Sequence, residues 1–149
     1  MEPIRKELLV NASGETAFRV FTEKMDLWWP RTHHIGKSPM TELVLEAGVQ
    51  GRWYSIHEDG SECNVGHVLQ WEPGNRLVLA WQINGDFQYD PLLITEVEVQ
   101  FIPVDEDKTL IKFEHRNLHK LGGGKAIESM NHGWGMILGL YQQLIMNQN

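Results

Sequence analysis

The segment LWWPRTHH, from Leu27 to His34, places two tryptophans, an arginine and two histidines around one proline. Histidine can bind a metal or transfer protons near neutral pH, and tryptophan is large enough to form the wall of a pocket. Three interpretations remain open for this segment: a metal site, a helix end packed into the core, or the mouth of a ligand cavity. We combine the last two and expect one of Trp28 and Trp29 in the core and the other near the mouth.

The histidines do not show the spacing of a metal site. His33 and His34 are adjacent, so their side chains point apart if the loop is extended. His115 and His119 straddle the end of a strand and need not converge. Cys63 is the only cysteine, and the sequence has no HExxH, GxSxG, P-loop or dinucleotide-binding pattern. We therefore expect no metal and no cofactor.

Five polar residues could act as acids or bases on a bound molecule: Arg52, Tyr54, His67, Glu114 and His115. Side chains alternate along the strand TLIKFEH, so His115 faces inward with the apolar residues and Glu114 faces solvent. An ordinary histidine titrates near pH 6.5, which would let His115 work as an acid or a base. The alternative is a histidine at the cavity rim that a backbone carbonyl satisfies.

The hairpin turn EDGS predicts which side chains share a face of the sheet. A two-residue turn places Arg52 opposite His67. The same register places Tyr54 opposite Val65, and Arg52, Tyr54 and His67 then face the cavity. A β-bulge would reverse this assignment.

Hydrophobic periodicity predicts the elements that position these residues. IRKELLV is a first strand, and NASGETAFRVFT is a short helix with Ser13 as its N-cap. We expect Thr22 to cap a second short helix, EKMDLWW, which Pro30 ends. Strand signals continue from Thr41 to His115 and indicate an antiparallel meander with one covered face and one wet face.

The C-terminal segment KAIESMNHGWGMILGLYQQLIMNQN predicts a long amphipathic helix that covers the sheet. Its apolar residues recur at spacings of three and four: Ile127, Met130, Trp134, Ile137, Tyr141 and Leu144. We expect this helix, from about Lys125, to pack lengthwise on the strands that contain Val97 and Phe113. Glycine costs roughly 1 kcal/mol relative to alanine inside a helix. Close approach of the helix to the sheet would explain the three glycines in GWGMILG, and a chance occurrence on the surface of the helix is the alternative.

A long helix on a curved sheet leaves a space between the two layers, where a small-molecule cavity commonly forms. We expect it to accept a small, largely apolar molecule of drug-like size. Trp134 belongs to the cavity because it lies on the helix stripe, whereas Trp81 ends a strand, RLVLAW, that is apolar on both faces. The predicted ligand-binding residues are Trp28, Trp29, Arg52, Tyr54, His67, Trp81, His115 and Trp134.

The composition limits the possible partners. At 149 residues the chain has the length of one domain, residues 1–149, with a single core. The formal net charge of -7 argues against nucleic acid or an anionic membrane as main partner, because both select basic surfaces. The sequence has no long apolar run, and a single cysteine fits a reducing cytoplasm. We expect a cytoplasmic monomer or homodimer that does not insert into membranes.

The order of several segments resembles that of bacterial single-domain proteins related to the activator of the ninety-kilodalton heat-shock chaperone's ATPase. These segments are FTEKMDLWWP, GRWYSIHEDGSECNVGHVLQWEPGNRLVLAWQI, TEVEVQF, TLIKFEHRNL and GWGMIL. That family belongs to the START-like (SRPBCC) superfamily. The resemblance implies an α+β helix-grip fold, in which a curved antiparallel sheet wraps around a long C-terminal helix, with two short N-terminal helices and a deep cavity. One departure is Gln50, where we expect a second glycine before Gly51.

The resemblance implies a class of function more than an activity. The superfamily contains lipid carriers, hormone- and drug-sequestering proteins, polyketide cyclases and oxygenase domains, so binding of a small apolar ligand is the first hypothesis. An enzyme of the cyclase, lyase or hydrolase type and a chaperone-interacting module are the alternatives. Eukaryotic chaperone activators carry an additional N-terminal domain for which 149 residues leave no room. We therefore expect no strong chaperone stimulation, and fold similarity alone supplies no activity.

Overall fold

The computed structural model describes residues 2–122 and 124–147. The strands are β1 (Ile4–Val10), β2 (Met40–Leu45), β3 (Arg52–His57), β4 (Glu62–Glu72), β5 (Arg76–Trp81), β6 (Thr95–Asp105) and β7 (Lys108–Arg116). The helices are α1 (Gly14–Thr22), α2 (Met25–Trp28) and α3 (Gly124–Asn147), with a 3-10 turn at Leu118–Leu121. The strands form one antiparallel sheet in the order β1-β7-β6-β5-β4-β3-β2. The predicted α+β helix-grip fold is confirmed.

The first helix begins where its capping residue predicts. Ser13 is the N-cap of α1, and its hydroxyl accepts a hydrogen bond from the backbone N–H of Thr16 at 3.2 Å. The prediction that Thr22 caps α2 is wrong. Its hydroxyl donates to the carbonyl of Phe18 at 2.8 Å, because a threonine near a helix end can bond back to the preceding turn. The residue before α2 is Lys24, which makes no side-chain capping bond.

The sheet has one covered face and one wet face, as the alternation predicted. Val99 pairs with Phe113 across β6 and β7, and both side chains are buried. On the opposite face the guanidinium of Arg116 donates to Glu96 and Glu98, each at 2.7 Å. Such partly exposed ion pairs contribute little individually, but a network holds adjacent strands in register.

Helix α3 lies along the covered face of the sheet. Its Trp134 ring is 4.6 Å from the ring of Phe113, centroid to centroid, and the Tyr141 hydroxyl donates to the carbonyl of Ala17 at 2.8 Å. Trp134, Ile137 and Tyr141 of the predicted stripe are buried. The predicted packing of the final helix on the sheet is therefore confirmed.

The glycines of α3 do not mark a close approach between helix and sheet. Among the described residues, a Cβ atom added at Gly133 or Gly139 would meet nothing within 4 Å. One added at Gly135 would meet only the Nζ atom of Lys6, at 3.8 Å. The predicted explanation is wrong because the larger stripe residues, not the glycines, face the sheet.

The β3–β4 hairpin contains a bulge that changes the predicted faces. Arg52 pairs with His67 as predicted, but the register shifts between Trp53 and Tyr54, which pairs with Asn64. The predicted partner of Tyr54 was the residue after Asn64. The turn is also one residue longer than predicted, so Ser55 rather than Ile56 pairs with Cys63, and this shift reverses the predicted face of β3.

Candidate functional site

A cavity of about 310 Å³ lies between α3, the inner face of the sheet and the loop after α2. This volume is at the lower end of the roughly 300–1,000 Å³ of small-molecule pockets. Its apolar lining includes Trp29, Val65, Trp81, Ile83, Trp134 and Ile137. Its polar lining consists of Thr32, His33, His34, Ser55 and Ser129. The cavity is therefore largely apolar, with polar groups concentrated in a few places.

Three tryptophans from distant parts of the chain form the aromatic wall of the cavity. The ring of Trp134 lies 5.8 Å from that of Trp29 and 5.6 Å from that of Trp81. Both pairs meet edge to face, which is a favourable arrangement for aromatic rings. Trp53 supports this wall from behind, 6.0 Å from Trp29 and 5.6 Å from Trp81. The wall is a connected cluster and is suited to hold a flat apolar molecule.

The two adjacent tryptophans divide between the core and the cavity. Trp28 is 3% exposed, and its indole N–H donates to the carbonyl of Val20 at 2.9 Å. Trp29 lines the cavity, and its indole N–H donates to the carbonyl of His33 at 2.7 Å. This bond ties the loop that follows α2 to the cavity wall. The division agrees with the expected arrangement, while ligand contact by Trp29 stays a prediction.

His115 is a core residue, which corrects its predicted place at the cavity. It is 0% exposed and does not line the cavity. The indole N–H of Trp134 donates to His115 Nδ1 at 3.1 Å. The remaining ring nitrogen, Nε2, therefore carries the hydrogen and donates to the Thr95 hydroxyl at 2.8 Å. That hydroxyl donates to the carbonyl of Trp81 at 3.0 Å, so the histidine holds two cavity tryptophans in place.

Burial also removes His115 from acid–base chemistry near neutral pH. Burial lowers the pKa of His115 to about 3, because loss of solvation disfavours the charged imidazolium. The neutral ring has one hydrogen, and the network above fixes its position on Nε2. His115 is therefore neither a histidine at the cavity rim nor an acid or base near neutral pH, the two roles considered from the sequence.

Arg52, Tyr54 and His67 lie outside the cavity, which corrects the predicted face of the hairpin. The Arg52 guanidinium stacks 3.9 Å over the ring of Tyr54 and donates to Asn64 at 3.0 Å. The Nδ1 atom of His67 is 2.8 Å from the Oε1 atom of Gln82. Two register changes are the physical reason: the longer turn reverses the face of β3, and the bulge in β4 turns His67 outward.

Ser55 and His57 lie on the inner face of β3, and neither was predicted from the sequence. The Ser55 hydroxyl oxygen lies 2.8 Å from His57 Nε2, and His57 Nδ1 lies 2.7 Å from the carbonyl of Ser38. The ring of His34 meets that of His57 at 4.9 Å. The alternation in RWYSIH contained the signal, since Ser55 and His57 are two residues apart.

The two loop histidines stay neutral more readily than exposed ones. Burial lowers the pKa of His33, and it is also the largest cause of the lowered pKa of His34. The nearby His57 lowers the pKa of His34 further. Because the backbone N–H of Gly36 donates to His34 Nδ1 at 3.1 Å, a neutral His34 carries its hydrogen on Nε2. This end of the cavity therefore presents polar groups without a full charge.

Residues 2–122 and 124–147 show neither of two other kinds of site. Among them, no group of three or more His, Cys, Asp or Glu side chains could hold a metal ion. The expectation that the protein uses no metal or cofactor stays a prediction. In the same residues, no helix is both long and apolar enough to cross a membrane.

Comparisons with known proteins relate this chain to a family and to solved structures of the same fold. The family model described as "Activator of Hsp90 ATPase homolog 1-like protein" matches residues 11–144. The structure of Txn09, an anthrahydroquino-gamma-pyrone synthase complexed with SUM, is 31% identical, covers 97% of each chain and has a TM-score of 0.68. CalC, a self-sacrificing resistance protein from Micromonospora echinospora, is 29% identical, with 99% of this chain and 96% of that chain covered and a TM-score of 0.71.

A more distant structure supports the fold alone. The Aha1 dimer from Colwellia psychrerythraea is 16% identical, with 97% of this chain and 96% of that chain covered and a TM-score of 0.67. No match was found among curated proteins.

Proposed function

Because the chain belongs to the family of activator of Hsp90 ATPase homolog 1-like proteins, we propose that it binds a small, largely apolar molecule between the sheet and α3. The observation that carries the proposal is the cavity of about 310 Å³ walled by Trp29, Trp81 and Trp134. A space of this size lined by large apolar side chains favours a ligand that displaces water from them.

Aromatic compounds are the ligand class that this wall favours. Indole rings offer both faces and edges to a flat molecule, and such contacts add to the burial of apolar area. His115 supports this function indirectly, because it orients Trp134 and holds Trp81 through Thr95. The wall is therefore already ordered before a ligand arrives, which reduces the entropy lost on binding.

An enzyme that acts on such a ligand is the second candidate. The observation in its favour is the name of Txn09, a synthase, at 31% identity over 97% of both chains. Related folds carry many activities, so the name does not transfer an activity to this chain. Chemical change of a bound compound, followed by mass spectrometry, would favour the enzyme over a carrier.

Chaperone activation gives the family its name. For this chain we expect no strong stimulation of the chaperone's ATPase. An ATPase assay of the host's ninety-kilodalton chaperone, with and without the purified protein, tests this expectation. Robust stimulation would contradict it.

Two measurements test ligand binding directly. Native mass spectrometry of the protein from its own host should reveal a co-purified small molecule, which denaturing conditions release. Titration with a set of fused-ring aromatic compounds should quench tryptophan fluorescence, because three tryptophans line the cavity. No bound mass and no quenching across a broad apolar set would count against the proposal.

A further inference from the structure

The hydrogen bonds of His57 fix the direction in which the Ser55 hydroxyl points. His57 is buried, and its Nδ1 atom lies 2.7 Å from the carbonyl oxygen of Ser38. A carbonyl can only accept, so Nδ1 carries the hydrogen of the neutral ring. The Nε2 atom is then an acceptor, and the Ser55 hydroxyl, 2.8 Å away, donates to it.

Ser55 therefore offers the cavity only its acceptor capacity. A hydroxyl group has one hydrogen to donate and two lone pairs that accept. The other protein atom near the Ser55 oxygen is the carbonyl oxygen of Cys63, at 3.4 Å, which is itself an acceptor. Among the residues that the structure describes, none donates a hydrogen bond to this oxygen. Ser55 is 1% exposed and lines the cavity, so bulk water does not reach it freely.

The surroundings of Ser55 limit what can donate to it. The cavity wall on the side of α3 and β5 is formed by Trp134 and Trp81, whose indole N–H groups donate elsewhere, to His115 and to the carbonyl of Ile83. A donor group on a bound molecule can reach the lone pairs of the serine oxygen from the cavity and replaces the water that binding displaces. A hydroxyl group on an aromatic ring combines such a donor with the flat apolar body that the tryptophans favour.

We infer that Ser55 accepts a hydrogen bond from a hydroxyl group of the bound molecule, which makes hydroxylated aromatic compounds the preferred ligands of the cavity. This inference rests on the proposed function, because both concern the same cavity. His57 is a positioning residue in this arrangement, since it accepts the hydrogen bond from the serine hydroxyl without touching the ligand.

The test compares two probes of similar size, 2-naphthol and 2-methylnaphthalene, by quenching of tryptophan fluorescence. The measured quantity is the ratio of their affinities, in the natural protein and in Ser55→Ala. The ratio should shift about tenfold against 2-naphthol in Ser55→Ala, because the ligand hydroxyl loses its acceptor. Affinity for 2-methylnaphthalene should change by less than about threefold, since the methyl group makes no hydrogen bond.

Ser61→Ala is the control, because Ser61 is an exposed serine in the β3–β4 turn and does not line the cavity. It should leave the affinity ratio within about twofold of the natural protein. If Ser55→Ala does not fold, Ser55→Cys takes its place, because a thiol is similar in size and accepts hydrogen bonds weakly.

The outcomes separate the two proposals. An unchanged ratio in the folded Ser55 variant, with both probes bound, would overturn the role of Ser55 and leave the apolar cavity standing. An equal shift in Ser61→Ala would overturn it as well. Binding of neither probe by the natural protein would overturn the proposed function and the role of Ser55 with it.

Discussion

At the scale of single residues, His115 joins the polar and the aromatic parts of the core. Its two nitrogens contact Trp134 and Thr95, and Thr95 contacts the backbone of Trp81. Each buried polar atom in this chain of hydrogen bonds has a partner, so the network rigidifies the wall without the cost of an unpaired group. Trp53 differs, because its buried indole N–H has no hydrogen-bond partner among the described residues.

Acid should destabilise the protein partly through His115. The pKa of His115 is about 3 in the folded protein and near 6.5 in the unfolded chain. Between these two pH values the unfolded chain binds a proton at this residue and the folded protein does not. The contribution of His115 to the free energy of unfolding is fully present above pH 6.5. It falls by up to about 1.4 kcal/mol per pH unit toward pH 3. Between pH 6.5 and 5 the natural protein should therefore lose up to roughly 2 kcal/mol more than His115→Gln.

Urea unfolding at both pH values measures this difference. His132→Gln is the control, because His132 is exposed on α3. This variant should show the same pH dependence of stability as the natural protein. His33 and His34 are present in every variant, so their contributions cancel in the comparison. Equal losses of stability on acidification in the natural protein and in His115→Gln would show that His115 can be protonated in the folded state.

At the scale of elements, the turn between β2 and β3 contains a residue in an unfavourable conformation. Gln50 has a φ angle of 72°, in the left-handed region, and it stands where the family resemblance leads us to expect glycine. Its backbone N–H donates to the carbonyl of Val68 at 2.9 Å, so the turn is tied to the neighbouring strand. A left-handed conformation costs a residue with a side chain roughly 1–2 kcal/mol.

Gln50→Gly should stabilise the protein by roughly 0.5–1 kcal/mol. Glycine removes the steric cost, keeps the N–H bonded to Val68, and gives back part of the gain through its greater freedom in the unfolded chain. Gly48→Ala is the opposite control in the same turn, because Gly48 has a φ angle of 88°. It should destabilise by roughly 1 kcal/mol. Chemical denaturation measures both stabilities. A Gln50→Gly variant less stable than the natural protein would show that Gln50 is not strained in this turn.

At the scale of the whole molecule, the cavity is the space that α3 and the sheet leave unfilled. Gly133 lies on its wall, and a Cβ atom added there would meet nothing within 4 Å. Gly139 of the same helix is equally free of close neighbours but does not line the cavity. These two glycines allow the volume of the cavity to be changed separately from the stability of the helix.

Gly133→Leu should abolish or strongly weaken ligand binding while leaving the protein at least as stable. The leucine side chain occupies cavity volume, and leucine is favoured over glycine inside a helix by roughly 0.5–1 kcal/mol. Gly139→Ala should gain stability in the same way and bind ligands as the natural protein does. Fluorescence titration and thermal unfolding of both variants check this. Full binding by Gly133→Leu would place the ligand elsewhere.

The sequence by itself determined the features that depend on neighbouring residues. Ser13 caps a helix because its hydroxyl reaches a backbone N–H three residues on, and the stripe through Trp134 covers the sheet because its spacing follows the helical turn. The inward direction of His115 also followed from alternation along one strand. The order of the segments supplied the helix-grip fold through a resemblance.

Only the tertiary structure decided which polar groups face the cavity. The register of the β3–β4 hairpin depends on pairing with a second strand, and it places Ser55 at the cavity in place of Arg52 and Tyr54. The partner of His115 was equally hidden, because the indole of Trp134 reaches it from a helix nineteen residues away. Local periodicity gives the face of a side chain, whereas register shifts and contacts between distant elements determine what lies against it.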